Sequence, residues 1–144
     1  MYSVKDILDE KGYECFTIEP SATVFEALEM MTNKDVGALL IVEEDKVLGV
    51  FSERDYARKV VLKGKSSKET NVSEMMSGWV YPVNLNTRTK ECMRIMTDNH
   101  VRHLPVIEND KLVGIVSIGD IVNTIIEDKN NLIEQLENYI TGKG

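Results

Sequence analysis

The sequence predicts a mixed α+β fold of α/β-like character, in which one β-α-β-β-α unit occurs twice and a helix follows at the C-terminus. The main observation is an internal repeat. Glu43–Asp55 reads EEDKVLGVFSERD, and Glu108–Asp120, 65 positions later, reads ENDKLVGIVSIGD. Short solenoid repeats have periods of roughly 20–50 residues. A longer unit present twice therefore indicates two halves packed as a pseudo-two-fold pair.

In the first copy, the spacing of apolar residues predicts each helix and strand of the unit. Apolar residues recur at helical spacing from Val24 to Met31, whereas the run that begins at Ala38 is continuous and typical of a buried strand. The predicted elements are a lead-in helix from Val4 ending at Gly12, a strand at Cys15–Ile18, a helix from Val24 ended by Gly37, a hairpin of Ala38–Val42 and Val47–Phe51, and a helix from Ser52 to about Leu62.

The second copy repeats this order after a polar linker, Lys63–Asn71. Its predicted elements are a lead-in helix at Val72–Met76, a strand at Val80–Leu85, a helix at Thr89–Asp98, a hairpin of Leu104–Ile107 and Leu112–Val116, and a helix from Ser117. The chain is thus divided into a first repeat with lead-in helix and linker (1–71), a second repeat (72–128), and a C-terminal helix and tail (129–144).

The C-terminal segment carries an apolar stripe that has no partner within the repeat. Its members are Leu132, Ile133, Leu136, Tyr139 and Ile140. Such a stripe must pack back on the repeats or against a second chain, and the prediction is a homodimer.

Composition excludes several classes of function. The chain has 144 residues and a net charge of −7, so a general nucleic-acid binder is disfavoured, because phosphate backbones select basic surfaces. Its apolar runs are too short to cross a membrane, and the polar N-terminus lacks the apolar core of a signal peptide. The expected location is the cytoplasm, with no membrane partner.

Catalytic and metal sites are not predicted. The residues form no nucleophile, base and acid set, so the chain is expected not to be an enzyme. His100 and His103 stand three apart without further ligands, and Cys15 and Cys92 have no metal or redox spacing. Gly64-Lys65-Ser66 lacks the first glycine of a phosphate-binding P-loop, since Lys59 stands in that place.

The repeated Gly-x-x-Ser-x-x-Asp motif allows two interpretations. Ser52 with Asp55, and Ser117 with Asp120, have the spacing of a capping box at a helix N-terminus. The same geometry offers free amides and a hydroxyl to a phosphate, and a carboxylate to sugar hydroxyls. Occurrence of the whole phrase twice favours binding, although each residue is able to serve both roles.

On these residues the chain resembles a tandem pair of CBS domains, also called a Bateman module. Val36–Asp55 and Val101–Asp120 carry the resemblance, which extends over nearly all of Val4–Asp128. It implies a regulatory module that binds an adenine nucleotide, AMP first and ADP, ATP or NAD as alternatives, in clefts between the repeats, and that signals to a partner protein not identified by the sequence. The residues implied in binding are Thr17, Ile18, Val36, Ala38, Ser52, Arg54, Asp55, Val83, Val101, Arg102, His103, Ser117 and Asp120.

The two copies differ in charge. Arg54 stands where the second copy has Gly119, and Arg58 lies one turn further on the same face, so both are expected to meet a phosphate at the first motif. The second motif needs Arg102, His103 or a lysine from elsewhere. The first site is therefore expected to bind more tightly. A different class of function, a scaffold subunit with vestigial sites, is the alternative.

Overall fold

The computed structural model describes residues 2–78 and 80–141. In chain order the helices are α1 (Val4–Lys11), α2 (Val24–Lys34), α3 (Glu53–Asp55), a π-helical segment (Tyr56–Val61), α4 (Val72–Met75), α5 (Thr89–Asn99) and α6 (Ile118–Ile140). The strands are β1 (Thr17–Ile18), β2 (Ala38–Glu43), β3 (Lys46–Ser52), β4 (His103–Glu108) and β5 (Lys111–Ser117). The predicted mixture of helices and strands with a C-terminal helix is confirmed. The last three residues of the predicted tail lie outside the described part.

Contacts divide the chain into two compact units. The repeat-1 unit comprises Glu14–Tyr81 and Asn109–Val113. The repeat-2 unit comprises the segment ending at Tyr13, Pro82–Glu108 and the segment from Gly114. The lead-in helix α1 therefore belongs to the repeat-2 unit, and α4 belongs to the repeat-1 unit. The compact units thus do not follow the boundaries of the sequence repeats at 1–71 and 72–128.

Backbone hydrogen bonds attach the lead-in segments in the same way. The Val4 amide donates to the Thr87 carbonyl at 2.9 Å, and the Val72 amide donates to the Ala22 carbonyl at 2.8 Å. The amide that opens α5 donates to the Tyr2 carbonyl, and the amide that opens α2 donates to the Thr70 carbonyl. Each lead-in segment is thereby fixed to the start of the helix in the other repeat.

The sheets follow the predicted pattern of a hairpin in each repeat. In the repeat-1 unit β1 is parallel to β2, and β2 is antiparallel to β3. The turns Glu44-Asp45 and Asn109-Asp110 have positive φ at both residues, as two-residue hairpin turns require. Fully buried Leu39, Ile41 and Phe51 join residues of α2 in the core of this unit.

The helix ends differ from the sequence prediction at one point. The N-terminus of α2 is capped as expected, by the Thr23 hydroxyl, which accepts the Glu26 amide at 3.1 Å. Gly37, however, is not the C-terminal stop. Asp35 adopts the left-handed conformation with φ 54, and its amide donates to the Met31 and Thr32 carbonyls. His100 does the same after α5. The prediction was wrong because polar residues replace the usual glycine.

The prediction of a strand at Val80–Leu85 is also wrong. The segment forms one parallel bridge, between Val83 and Val106. Local bonds compete with the ladder here. Pro82 has no amide hydrogen to donate. The Asn84 amide donates to Thr87 Oγ1 at 3.1 Å, and the Leu85 amide donates to Glu108 Oε2 at 3.1 Å.

Two helices are present but differ in form from the prediction. The helix expected from Ser52 to Leu62 is α-helical for one turn and then π-helical from Tyr56 to Val61. The C-terminal helix is not separate from the last helix of the second repeat, because α6 runs without a break for 23 residues.

Candidate functional site

The first Ser-x-x-Asp motif opens α3 as a complete capping box. The Ser52 hydroxyl accepts the Asp55 amide at 3.2 Å, and Asp55 Oδ2 accepts the Ser52 amide at 3.0 Å. The Ser52 hydroxyl also donates to the same oxygen at 3.1 Å. The capping interpretation is therefore confirmed for this motif, and it places a carboxylate and a hydroxyl together at a helix N-terminus.

Asp55 has two further partners, Ser77 and Lys59. The Ser77 hydroxyl donates to Oδ1 at 3.3 Å, and the Lys59 ammonium lies 3.2 Å from that oxygen. Asp55 is only 9% exposed. Lys59 stands four residues after Asp55, a spacing that signals an ion pair on a helix. Ser77 follows α4, and no local spacing links it to Asp55.

The residues expected to approach a base lie beside this motif. Ala38 is the register partner of Ser52 across β2 and β3. The amide that opens α3, from Glu53, donates to the Gly37 carbonyl at 3.1 Å. Next along the sheet, Thr17 and Ile18 pair with Leu40 and Ile41. A depression of about 340 Å³ lies at the start of α3, beside Gly37 and Glu53. Its lining residues are Leu28, Met31, Thr32, Asp35, Val36, Gly37 and Glu53.

The expected cations of the first motif are exposed on the same helical segment. Arg54 lies within α3 and Arg58 within the π-helical segment, and both side chains are solvent-accessible. Lys59 lies in direct contact with the Asp55 carboxylate. A π-helical turn of this kind is frequent at functional sites, and here it lies directly after the motif.

The second motif opens α6 with the same capping box and a different cation. The Ser117 hydroxyl accepts the Asp120 amide at 3.2 Å, and Asp120 Oδ2 accepts the Ser117 amide at 2.8 Å. The Lys11 ammonium, at the end of α1, lies 2.8 Å from the same oxygen. The sequence left open whether Arg102, His103 or a distant lysine would serve this motif. The contact with Asp120 comes from Lys11, 109 residues away, which no sequence spacing could indicate.

The pKa of Asp120 reflects two opposing effects. Burial would raise the pKa of this carboxyl, but the hydrogen bonds from Lys11 and Ser117 and the charge of Lys11 outweigh it and hold the pKa below the ordinary value. The carboxylate is therefore ionised at neutral pH and remains an acceptor. Its side chain is 23% exposed, whereas the Asp55 side chain is 12% exposed.

A groove of about 560 Å³ opens beside Asp120 between α1 and α6. Its lining residues are Ile7, Glu10, Lys11, Asp120, Asn123, Thr124, Ile126 and Glu127. The expected base-contacting residues of this repeat lie before and along β4. The amide that opens α6 donates to the Arg102 carbonyl at 2.9 Å, and the Val101 amide donates to the Met96 carbonyl. His103 begins β4, and Val83 bridges to Val106 in the same strand.

Other groups offer little chemistry. Burial raises the pKa of the Cys92 thiol to about 11, so this cysteine stays protonated and unreactive at neutral pH. Within residues 2–78 and 80–141 no cluster of three or more His, Cys, Asp or Glu side chains has the arrangement of a metal site. No described helix combines the length and apolar character needed to cross a membrane.

Comparison with known proteins matches this architecture twice along the chain. The CBS domain family profile matches residues 3–62 and 72–127. A mitochondrial CBS domain-containing protein of Arabidopsis thaliana, CBSX3, is 35% identical over 97% of this chain and 72% of its own length. A Burkholderia ambifaria protein with CBS domains, named as a candidate signal-transduction protein, is 44% identical, with a TM-score of 0.83 over 88% of this chain and 96% of its own.

A second similar structure is a CBS-domain pair solved in complex with 5′-methylthioadenosine and S-adenosyl-L-methionine. It covers 89% of this chain and 98% of its own with a TM-score of 0.77, but it is 23% identical and shows the shared fold alone. The double profile match and the Arabidopsis relative are sufficient to assign the family. The chain belongs to the CBS-domain family and carries two CBS domains in tandem.

Proposed function

We propose that this chain is a regulatory sensor that binds adenine nucleotides at its two Ser-x-x-Asp motifs, AMP first, with ADP, ATP or NAD as alternatives. The observation that supports it most is the repeated site geometry. In both repeats a hydrogen-bonded aspartate, a serine hydroxyl and the first amides of a helix lie together beside a cation.

The chemistry of these groups suits a nucleoside with a phosphate. A carboxylate accepts hydrogen bonds from sugar hydroxyls, and the N-terminus of the long helix α6 favours a negative group. Ala38 and the Gly37 carbonyl lie next to the first motif, and the Arg102 carbonyl lies next to the second, where a base would approach. A CBS-domain pair of the same fold binds two adenosine compounds, which supports adenosine as the shared part of the ligand.

The direct test is nucleotide-dependent stability. At about 100-fold excess of ligand over its Kd, mass action stabilises the native state by roughly 2.7 kcal/mol, which is visible as a rise in Tm. We expect AMP to raise the Tm of the wild-type chain and the double variant Asp55→Asn with Asp120→Asn to lose that rise. Asp98→Asn, an exposed aspartate at the end of α5, is the matched control. Should millimolar AMP, ADP, ATP and NAD all leave the wild-type Tm unchanged, the proposal fails.

Signalling would pass through a change in the population of conformations. A ligand that binds one arrangement of the chain more tightly than another shifts the equilibrium by its difference in affinity. A partner protein and a second copy of this chain are the expected readers. We propose no catalytic step. Proteolysis rates with and without AMP report the population shift, and unchanged cleavage in saturating AMP would exclude it.

The second candidate function is a scaffold subunit whose sites no longer bind ligand. Asp55 favours it, because both of its carboxylate oxygens already have protein partners and little of it is exposed. The exposed apolar stripe of α6 also suits a subunit that acts by contact. The same thermal-shift panel separates the two candidates, since a scaffold gives no shift with any nucleotide.

A further inference from the structure

We propose that Lys11, which pairs with Asp120, determines phosphate selectivity at the Ser117–Asp120 motif by contacting the phosphate of a bound nucleotide. This inference rests on the proposed nucleotide binding. Lys11 lies before the first repeated phrase, and neither the resemblance nor the motif spacing assigned it a role.

The position of the Lys11 backbone is fixed by its helix, while its side chain is partly exposed and long enough to reach another partner. Val4, Ile7 and Leu8 of α1 are buried, and the Val4 and Lys5 amides donate to the Thr87 and Leu85 carbonyls. The side chain of Lys11 itself is 34% exposed. The four-carbon stem of a lysine therefore allows the ammonium to move from the carboxylate toward a ligand in the groove without a shift of α1.

The groove beside Asp120 is mainly acidic, so Lys11 has a large effect on its charge. Among the described residues that line it, Asp120, Glu10 and Glu127 are acidic, and Lys11 is the single cation. A phosphate would meet three carboxylates in the absence of Lys11, and like charges at short range repel. With Lys11 present, one ammonium can neutralise part of that field and donate to phosphate oxygens. An uncharged adenosine has no such requirement.

The first motif has a different source of charge. Lys59, which contacts Asp55, stands on the same helical segment as its motif, together with Arg54 and Arg58. Lys11 comes from a helix at the other end of the sequence. Substitution of Lys11 therefore removes the cation of one motif and leaves the other motif intact.

The experiment measures the ratio of AMP to adenosine affinity by titration calorimetry in an Asp55→Asn background, which isolates the second motif. We expect Lys11→Met to weaken AMP about tenfold or more, as the loss of a charged hydrogen bond implies, and to change adenosine by less than about threefold. Lys11→Arg should retain most of the AMP affinity. The control is Lys5→Met, because Lys5 is also on α1 but pairs with Asp9, outside the groove.

The acidic residues provide a second, independent readout. Glu10→Gln with Glu127→Gln should raise AMP affinity and leave adenosine nearly unchanged, because the repulsion falls while Asp120 is retained.

Equal loss of AMP and adenosine affinity in Lys11→Met would show a structural role and overturn the inference. An effect of Lys5→Met equal to that of Lys11→Met would overturn it as well. If Lys11→Met still binds AMP and its ratio of AMP to adenosine affinity equals that of wild type, the inference about Lys11 is wrong. The proposal of nucleotide binding is then unaffected. Absence of binding in wild type overturns both.

Discussion

Gly49 and Gly114 occupy the same place in the two repeated phrases, and both face a lead-in segment. A Cβ atom on Gly49 would lie 2.6 Å from the Ser77 carbonyl oxygen and 2.7 Å from Met76 Sδ. On Gly114 it would lie 2.8 Å from Cδ1 of Leu8, the end of a flexible side chain. A backbone carbonyl yields less easily than a side chain, so the first glycine is the more constrained. The glycine of the motif therefore serves close packing of the chain.

At the residue scale we predict that Gly49→Ala lowers the free energy of unfolding by about 1–3 kcal/mol, since overpacking forces the backbone at Ser77 to move. Gly37→Ala is the control, because its Cβ would approach only Glu53, at 4.0 Å, and it should be nearly neutral. Urea denaturation of both variants gives the comparison. A Gly49→Ala protein as stable as wild type would mean that the Val50–Ser77 pairing is easily displaced.

At the scale of elements, the sequence predicted most of the fold because each helix or strand has its own periodicity and a second copy to compare. The misses have local causes. The strand predicted at Val80–Leu85 did not form because Pro82 has no amide hydrogen, and because the Asn84 and Leu85 amides donate to the side chains of Thr87 and Glu108. The π-helical segment has no periodic signature distinct from an α-helix. The union of the two C-terminal helices as α6 follows from the absence of any breaker between Asp120 and Ile140.

The outer part of α6 presents a broad apolar face. Leu132, Ile133 and Leu136 are 55%, 52% and 53% exposed, and Tyr139 and Ile140 are 83% and 80% exposed. A stripe of this length on one helix is typical of a surface that a second chain covers.

We therefore predict that the protein is a dimer in light scattering at micromolar concentration, and that Leu132→Ser with Leu136→Ser dissociates it. The helical content should be retained, because these side chains contribute little to the core of their own unit. Asn130→Ser, an exposed polar position on the same helix, is the control. A monomeric wild-type protein, or a double variant that remains dimeric, would assign the stripe another role.

At the scale of the whole molecule, the sequence showed two Ser-x-x-Asp motifs and the difference in charge between them, but not the partners of their carboxylates. Arg54 and Arg58 could be proposed as phosphate-binding cations because they lie within or beside the motif, and this remains a prediction. Lys11 and Ser77 could not be identified, because each reaches an aspartate of the other repeat through a lead-in segment. The apolar stripe of α1 fits either repeat equally well, so periodicity alone does not reveal which one it packs against.

The two motifs should therefore prefer different ligands, and should not differ in overall affinity alone. Asp120 is the more exposed carboxylate, so adenosine should fill the second motif first, whereas ATP should favour the first motif through Arg54 and Arg58. We predict that Arg54→Ala with Arg58→Ala weakens ATP about tenfold or more and leaves adenosine little changed. The effect of salt on ATP affinity should shrink in the same variant.

Asp120→Asn is the reciprocal variant, and it should weaken adenosine more than ATP. Calorimetric titrations at low and high salt measure both ligands. Parallel losses of ATP and adenosine in each variant would show that the two motifs do not divide the recognition of phosphate and sugar in this way.

Each lead-in helix packs in the unit of the other repeat, and this arrangement constrains how the chain folds during synthesis. During synthesis α1 leaves the ribosome before the segments that cover its buried face, which begin at Pro82, and Lys11 meets Asp120 only after 109 further positions. Contacts of such high sequence separation slow folding and delay cooperativity. We expect amide exchange at Ile7 and Leu8 to stay fast in nascent chains that end at the linker, and to slow only once α6 has emerged. The first repeat by itself is therefore an incomplete unit of folding, although it is a complete unit of sequence.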